Sequence, residues 1–319
     1  MLIIEKNMRK TLFLTGLPRS GTTWSAEMLG LSPSVIHVTG EPFNPINSKT
    51  AFGFEWSWYY AISGTEGLKF ENTLKNLFNQ KWTLSDFIRR YHYLIVNKET
   101  RRHLYTRIIR LFNAYLLGTN KTTLLKCPIG FFSTEQIAKQ LNAQIILLTR
   151  HPAAFINSMQ RVGWEVDVEH LFKQPHLRSL LEPFWDKITY YSNNKNAIES
   201  IDKNILAWNI YHYLIKKWQQ KYPDWIVVSH EQLSLNPTEE FKDMYQKLHL
   251  VYNLDVEREI IEHTQASNKI DAGDQIHLLK RDSKANMDVW KKHLSKEVID
   301  KIYKETKELS DYFYPQASW

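Results

Sequence analysis

Short apolar runs recur along the chain, and each is bounded by turn or polar residues. They are rich in Leu and β-branched residues, which is typical of strands that are buried on both faces of a sheet. Five such runs predict strands at 10–15, 35–39, 122–125, 144–149 and 225–229.

Between and after these runs, apolar residues recur at the three- and four-residue spacing of an α-helix. This spacing predicts helices at 22–31, 133–141, 153–162, 205–222 and 295–312. Continuous apolar strands that alternate with helices favour a parallel sheet covered on both faces. We therefore expect an α/β fold, a three-layer sandwich with a central parallel sheet flanked by helices.

Two segments depart from this alternation. Residues 52–117 are rich in Trp, Tyr and Phe and show no strand pattern, so we predict a mainly helical insertion there. Residues 254–319 are polar and basic before they end in a helix, and they predict a C-terminal basic loop and helix. We expect the 319 residues to form a single domain with these two additions.

Composition narrows the class of ligand. The net charge of +7 suits an anionic ligand, while the dispersed basic residues do not predict a nucleic-acid partner. A lone cysteine, Cys127, excludes an internal disulfide, and the histidines lack metal-ligand spacing, so we expect no metal. No signal peptide and no run of roughly 20 apolar residues is present, so we expect a cytoplasmic protein without a transmembrane segment.

A glycine loop joins the first predicted strand to the first predicted helix. The order of strand, glycine loop and helix points consecutive backbone N–H groups at an anion. Because this is the arrangement of a P-loop, we expect the sandwich to be P-loop-like. Gly16 and Gly21 have the Walker A spacing, but Thr22 stands where a nucleotide triphosphatase has Lys. The strand at 144–149 also ends without the acid that helps to hold Mg²⁺. The loop therefore predicts a cradle for one phosphate or sulfate group.

A second candidate half-site follows the fourth predicted strand. Arg150 lies at the strand end, and Ser158 lies eight positions later, about two turns into the predicted helix. A forked guanidinium and a hydroxyl at this separation can bind the same phosphate group.

These motifs closely resemble those of the sulfotransferase superfamily. The run Pro-Arg-Ser-Gly-Thr-Thr-Trp resembles its 5′-phosphosulfate loop, and Arg150 with Ser158 resembles its 3′-phosphate motif. The resemblance implies that the donor is 3′-phosphoadenosine 5′-phosphosulfate (PAPS). The residues that it implies as donor-binding are Pro18, Arg19, Ser20, Gly21, Thr22, Thr23, Trp24, Arg150 and Ser158.

Two further strand ends carry catalytic candidates. Glu41 follows the second predicted strand and Lys126 follows the third, and the carboxyl ends of parallel strands border the ligand crevice. The resemblance implies Glu41 as the general base, with Lys126 and Arg19 as cations that stabilise developing charge. A glutamate in an ordinary turn and a solvated strand-end lysine are the alternatives.

The tail contains a looser match. The resemblance implies that Lys280, Arg281 or Lys284 adds charge near the 3′-phosphate and folds down when the donor binds. A solvated basic loop is the alternative. The run His230-Glu231-Gln232-Leu233 resembles a Tyr-Glu-Asp-Leu segment of many members, with His230 in place of Tyr.

The resemblance thus implies a sulfotransferase that moves a sulfonate group from PAPS to a hydroxyl acceptor by in-line transfer. The abundance of Trp and Tyr suits sugar rings, so we expect a carbohydrate or glycolipid acceptor, although core packing also explains these residues. Small alcohols, phenols and peptide tyrosines stay open as acceptors. Two other functions stay open: a P-loop nucleotide kinase or phosphotransferase, and a non-catalytic nucleotide-binding protein with the same fold.

Overall fold

The computed structural model of the chain describes residues 10–38, 41–47, 57–63, 121–270 and 279–315, together with positions 88, 91, 92, 95 and 319. Most of the predicted insertion at 52–117 lies outside these residues, as does the part of the basic tail at 271–278. The helical character of the insertion therefore stays a prediction.

Five described strands belong to one sheet in the order β2-β3-β1-β4-β5, and β1 with β3, β2 with β3, and β4 with β5 pair in parallel. Each lies within two residues of its predicted position. The strands are β1 (Thr11–Gly16), β2 (Val35–Val38), β3 (Thr122–Lys126), β4 (Gln144–Thr149) and β5 (Ile226–Ser229).

Helices flank this sheet, so the expected α/β fold is confirmed. The long helix Ser200–Lys221 begins earlier than predicted, because its first turn is largely polar and lacks apolar periodicity. The described helices are α1 (Thr22–Leu29), α2 (Pro45–Asn47), α3 (Thr134–Leu141), α4 (Pro152–Arg161), α5 (Glu169–Phe172), α6 (Trp185–Asn193), α7 (Ser200–Lys221), α8 (His230–Leu235), α9 (Pro237–Lys247), α10 (Leu254–Thr264), α11 (Ser283–Met287), α12 (Trp290–His293) and α13 (Lys296–Phe313).

The chain forms two compact units. The first comprises Met1–Thr15 and Leu29–Ile145, and in it β3 lies between β1 and β2. The interior of this unit is apolar, and Leu12 and Leu124 have no exposed surface. A buried hydroxyl in this unit has a backbone partner, since Thr15 Oγ1 donates a hydrogen bond to the carbonyl of Cys127 at 3.0 Å.

The second unit comprises Gly16–Met28 and Ile146–Trp319. Its strands β4 and β5 pair in parallel, and Thr149 lies opposite Ser229 at their carboxyl ends. This register brings the first residues of α4 and α8 to the same edge. A polar cluster at that edge is therefore a consequence of strand pairing.

Helix α7 carries a buried histidine in the second unit. His212 has no exposed surface, its Nδ1 lies 2.8 Å from the carbonyl of Trp208, and its ring stacks on the Trp208 indole with centroids 3.8 Å apart. Its Nε2 is buried without a hydrogen-bond partner among the described residues. Burial lowers the pKa of His212 to about 3, and the Trp208 contact opposes this shift only in part.

This histidine predicts a pH-dependent stability. The unfolded chain binds a proton on His212 below about pH 6.5, whereas the folded chain stays neutral there until the pH approaches 3, so stability falls as the pH falls. We expect the substitution His212→Asn to remove about 1.4 kcal/mol per pH unit from the slope of the free energy of unfolding between pH 6 and 4. Urea unfolding monitored by fluorescence measures this slope. An unchanged slope in His212→Asn would contradict the assignment.

Candidate anion-binding site

The glycine loop after β1 makes a tight turn into α1. The backbone N–H of Ser20 donates to the carbonyl of Leu17 at 3.0 Å, and Arg19 adopts a positive φ of 69°. The turn buries Ser20 completely, and its Oγ has no hydrogen-bond partner among the described residues. A buried hydroxyl without a partner is costly, so this orphan atom fits a loop that accepts a polar ligand. The first N–H groups of α1 add donors beside it.

Position 21 requires glycine for two reasons, its backbone conformation and the closeness of the His230 side chain. Its φ of 91° lies in the left-handed region, and a Cβ added there would lie 2.6 Å from Cδ2 of His230. The His230 ring is buried, and its centroid lies 5.8 Å from that of Trp24. His230 therefore packs directly beneath the loop. It stands in place of the Tyr of the Tyr-Glu-Asp-Leu segment.

Arg19 and Arg150 connect the loop to the start of α4. Nη1 of Arg150 donates to the carbonyl of Arg19 at 2.6 Å. Nε of Arg19 donates to Oγ of Ser158 at 3.2 Å, and the Arg19 guanidinium lies 5.7 Å from the centroid of the Trp164 ring. The structure thus brings three residues from the two predicted half-sites into one hydrogen-bonded group.

A pocket opens beside this group within the second unit. Its polar lining comes from the end of β4, from α4 and from the tail, and Trp290 contributes an apolar wall. The polar lining residues are Arg150, Asn157, Ser158, Arg161, Arg281 and Asn286.

The electrostatics of the pocket favour an anion. Burial, followed by repulsion from Arg150, Arg161 and Arg281, lowers the pKa of Arg19 to about 10. Burial also lowers the pKa of Arg150. Like charges at this density raise one another's energy, and a phosphate or sulfate that binds among them relieves that repulsion.

One carboxylate lies close to this cationic group. Glu231, in the first turn of α8, accepts a hydrogen bond from the backbone N–H of His151 at 3.0 Å. Burial raises the pKa of Glu231, while the charge of Arg150 acts in the opposite direction. Burial lowers the pKa of His151 to about 3, and its neutral ring stacks on Trp290 with centroids 5.0 Å apart.

The catalytic candidates of the first unit form an ion pair. The Lys126 ammonium, at the end of β3, donates to Oε1 of Glu41, and Nδ2 of Asn44 donates to Oε2 at 3.0 Å. Both side chains keep some solvent access, with 14% of Lys126 and 20% of Glu41 exposed. The pair therefore holds an oriented, reachable carboxylate and a cation beside it.

The predicted tail residues divide between two environments. Arg281 lines the pocket, whereas Lys280 is exposed and pairs with Glu262 at 3.1 Å. Lys284 is exposed on α11 and does not line the pocket. The roles predicted for Lys280 and Lys284 near a phosphate stay predictions.

Sequence reasoning missed part of the pocket. Arg161 lies three positions after Ser158, so helical spacing within the predicted helix 153–162 was a usable signal for it. Asn286 had no comparable signal, because it reaches the pocket only through the fold of the tail. The sequence marks Glu231 only as part of the motif that begins at His230.

Two classes of feature were not found in the part of the chain that the structure describes. No group of three or more His, Cys, Asp or Glu side chains there is arranged to hold a metal ion. No helix there is long and apolar enough to cross a membrane.

Comparison with known proteins points to one family. A family model described as "Sulfotransferase family" matches residues 11–253. The match includes the loop, the Arg150 and Ser158 pair, Glu41, Lys126 and Glu231, and it ends before the tail. No curated protein sequence matches the chain.

Three solved structures of sulfotransferases align with most of the chain at low sequence identity. The sulfotransferase domain from the curacin biosynthetic pathway is 13% identical, with 96% of this chain and 97% of that chain covered and a TM-score of 0.47. A sulfotransferase from Mycobacterium avium is 13% identical, with 96% and 77% covered and a TM-score of 0.46. A mouse sulfotransferase, solved in complex with 3′-phosphoadenosine 5′-phosphate (PAP), is 12% identical, with 97% of this chain and 86% of that chain covered and a TM-score of 0.42.

The packing beneath the loop predicts a graded cost for added side chains. Gly163 also has a positive φ, of 64°, but a Cβ there would meet nothing within 4 Å. We expect Gly163→Ala to lower the free energy of unfolding by about 1–2 kcal/mol, the cost of the left-handed conformation alone. Gly21→Ala should cost more, because it adds the contact with His230. Urea unfolding measures both, and His230→Ala should recover part of the Gly21→Ala loss. Equal costs for the two glycine variants would contradict the packing described.

Proposed function

The chain belongs to the sulfotransferase family, and on this premise we propose that it transfers a sulfonate group from PAPS to a hydroxyl acceptor. The pocket of Arg150, Ser158, Arg161 and Arg281 carries the proposal. Several guanidinium groups beside one hydroxyl suit a terminal phosphate with two negative charges, which is the chemistry of the 3′-phosphate.

The glycine loop suits the other end of the same donor. Its buried Ser20 hydroxyl and the N–H groups at the start of α1 are donors for the phosphosulfate group. We assign the donor-binding role to residues 18–24 as a set, and Trp24 lies beside His230, away from solvent. The loop has Thr22 where a P-loop kinase has its phosphate-binding Lys, which favours sulfonate transfer over the kinase alternative.

In the proposed reaction, the acceptor oxygen attacks sulfur in line with the bond to the 5′-phosphate. The new S–O bond forms as the old one breaks, and the electron pair of the broken bond stays on the leaving phosphate. Glu41 takes the acceptor proton, and an ion pair with Lys126 supplies the oriented, ionised carboxylate that this step needs. Lys126 and Arg19 stabilise charge on the transferred group and on the leaving oxygen.

We propose a carbohydrate or glycolipid as the acceptor. The indole of Trp164 is 43% exposed, and Nδ2 of the buried Asn204 donates to the Trp164 carbonyl at 3.1 Å. The backbone N–H of Val166 donates to Oδ1 of the same Asn204 at 3.0 Å, so Asn204 fixes the loop backbone from which the indole projects. An exposed indole beside Arg19 is a suitable platform for a sugar ring.

The donor assignment predicts a nucleotide preference. We expect calorimetric titration to detect micromolar binding of 3′-phosphoadenosine 5′-phosphate (PAP) and much weaker binding of Mg·ATP. Arg150→Ala should weaken PAP binding at least tenfold, because it removes charge-assisted hydrogen bonds worth about 1.5–3 kcal/mol. The exposed Arg178→Ala variant is the matched control and should bind PAP as the wild type does. A preference for Mg·ATP, or equal effects of the two arginine variants, would overturn the donor assignment.

The catalytic assignment predicts a separation of turnover from donor binding. Glu41→Gln keeps the size of the side chain but removes the base, so we expect a loss of about 10²–10⁴ in kcat. The dissociation constant for PAP should change less than twofold, because Glu41 is assigned to the acceptor proton. Steady-state sulfonate transfer and PAP titration measure the two quantities. The exposed Glu182→Gln is the control, and undiminished turnover in Glu41→Gln would remove Glu41 from the mechanism.

A further inference from the structure

The peptide group between Arg150 and His151 is held by side chains on both of its edges. Its carbonyl accepts a hydrogen bond from Nε1 of Trp208, on α7, at 2.8 Å. Its N–H donates to Oε1 of Glu231, on α8, at 3.0 Å. Two helices that are distant in sequence thereby set the plane from which the Arg150 side chain projects toward the pocket.

Glu231 also acts on Arg150 through its charge. Glu231 is the largest favourable charge that opposes the effect of burial on Arg150, whereas Arg161 repels it. The Oε2 atom of Glu231 and the Nε atom of Arg150 are both buried. The carboxylate is thus kept at the cost of burial, and the Arg150 charge and the neighbouring Tyr314 side chain both act against the rise that burial causes in its pKa.

An amide would be sufficient if the only task were to accept the N–H of His151. A carboxylate brings a full negative charge, which offsets the mutual repulsion of the arginines before an anion arrives. The same charge repels a bound phosphate, so the two effects compete. Glu231 does not line the pocket, whereas Arg150 does. The carboxylate therefore acts on the arginine more strongly than on the ligand, because Coulomb energy falls with distance.

From this geometry we propose that Glu231 is a positioning residue for donor binding, which orients Arg150 toward the 3′-phosphate by clamping the Arg150–His151 peptide and attracting the guanidinium. The inference rests on the proposed donor. It extends the site to a carboxylate that does not itself touch the ligand.

The test compares two ligands in three proteins. PAP and adenosine 5′-phosphate differ by the 3′-phosphate, so calorimetric titration of both isolates the contribution of that group. Glu231→Gln keeps the acceptor for the His151 N–H and removes the charge. We expect it to weaken PAP binding about tenfold, the size of one charge-assisted hydrogen bond, and to leave adenosine 5′-phosphate binding unchanged. The exposed Glu239→Gln, on α9, is the matched control and should affect neither ligand.

A double-mutant cycle with Arg150→Ala tests the route of the effect. If Glu231 acts through Arg150, then Glu231→Gln has no further effect on PAP binding once Arg150→Ala is present. The value of kcat at saturating PAPS should stay within about twofold of wild type in Glu231→Gln, since only donor affinity depends on the Glu231 charge. A raised KM for PAPS with an unchanged kcat is a pattern that general unfolding does not produce, because unfolding lowers the active fraction and therefore the apparent kcat.

Each contrary result has a distinct meaning. Equal losses for PAP and adenosine 5′-phosphate, or additive effects of the two substitutions, would overturn the positioning role while the donor assignment stands. Unchanged PAP binding in Glu231→Gln would also overturn it. Wild-type protein that binds PAP no better than adenosine 5′-phosphate would overturn the donor assignment, and the positioning role with it.

Discussion

Mutual repulsion among arginines is the constraint on which the rest of the site depends. Burial is the largest cause of the lowered pKa of Arg19, and repulsion from Arg150, Arg161 and Arg281 lowers it further. A fold that holds such a cluster without a ligand must stabilise each cation by other means. A serine hydroxyl and an aromatic face perform this task for Arg19, and a backbone carbonyl and a buried carboxylate perform it for Arg150. An anion that enters the pocket meets donors that are already in place.

Parallel strand pairing is what assembles these groups. The register of Thr149 with Ser229 places Arg150 and His230 one residue beyond the paired strand ends. The turn into α4 and the turn into α8 consequently lie side by side, and Glu231 reaches the backbone of His151. The positive φ at Gly21 lets the glycine loop pass over His230. The positions of these groups at this edge of the sheet therefore follow from the pairing of the strands.

The sequence by itself determined the strand positions, the helix after each motif and the residues of the glycine loop. These features are local: apolar runs, glycine spacing and a strand-end arginine are visible without knowledge of what packs nearby. Ser158 was also predictable, since eight positions are about two helical turns and bring a side chain back to the same side of the helix. The same local motifs carry the resemblance to sulfotransferases, and the family model that matches residues 11–253 shows the family.

Only the tertiary structure decided which other residues share the pocket and how they are paired. Arg281 comes from a tail more than a hundred residues after Arg150, and Lys280 beside it turns to Glu262 instead. Glu41 and Lys126 lie 85 positions apart, yet they form an ion pair. Glu231 joins Arg150 only because β4 and β5 are neighbours. Such pairings depend on contacts between distant segments, and local residue patterns carry no information on the distances that result.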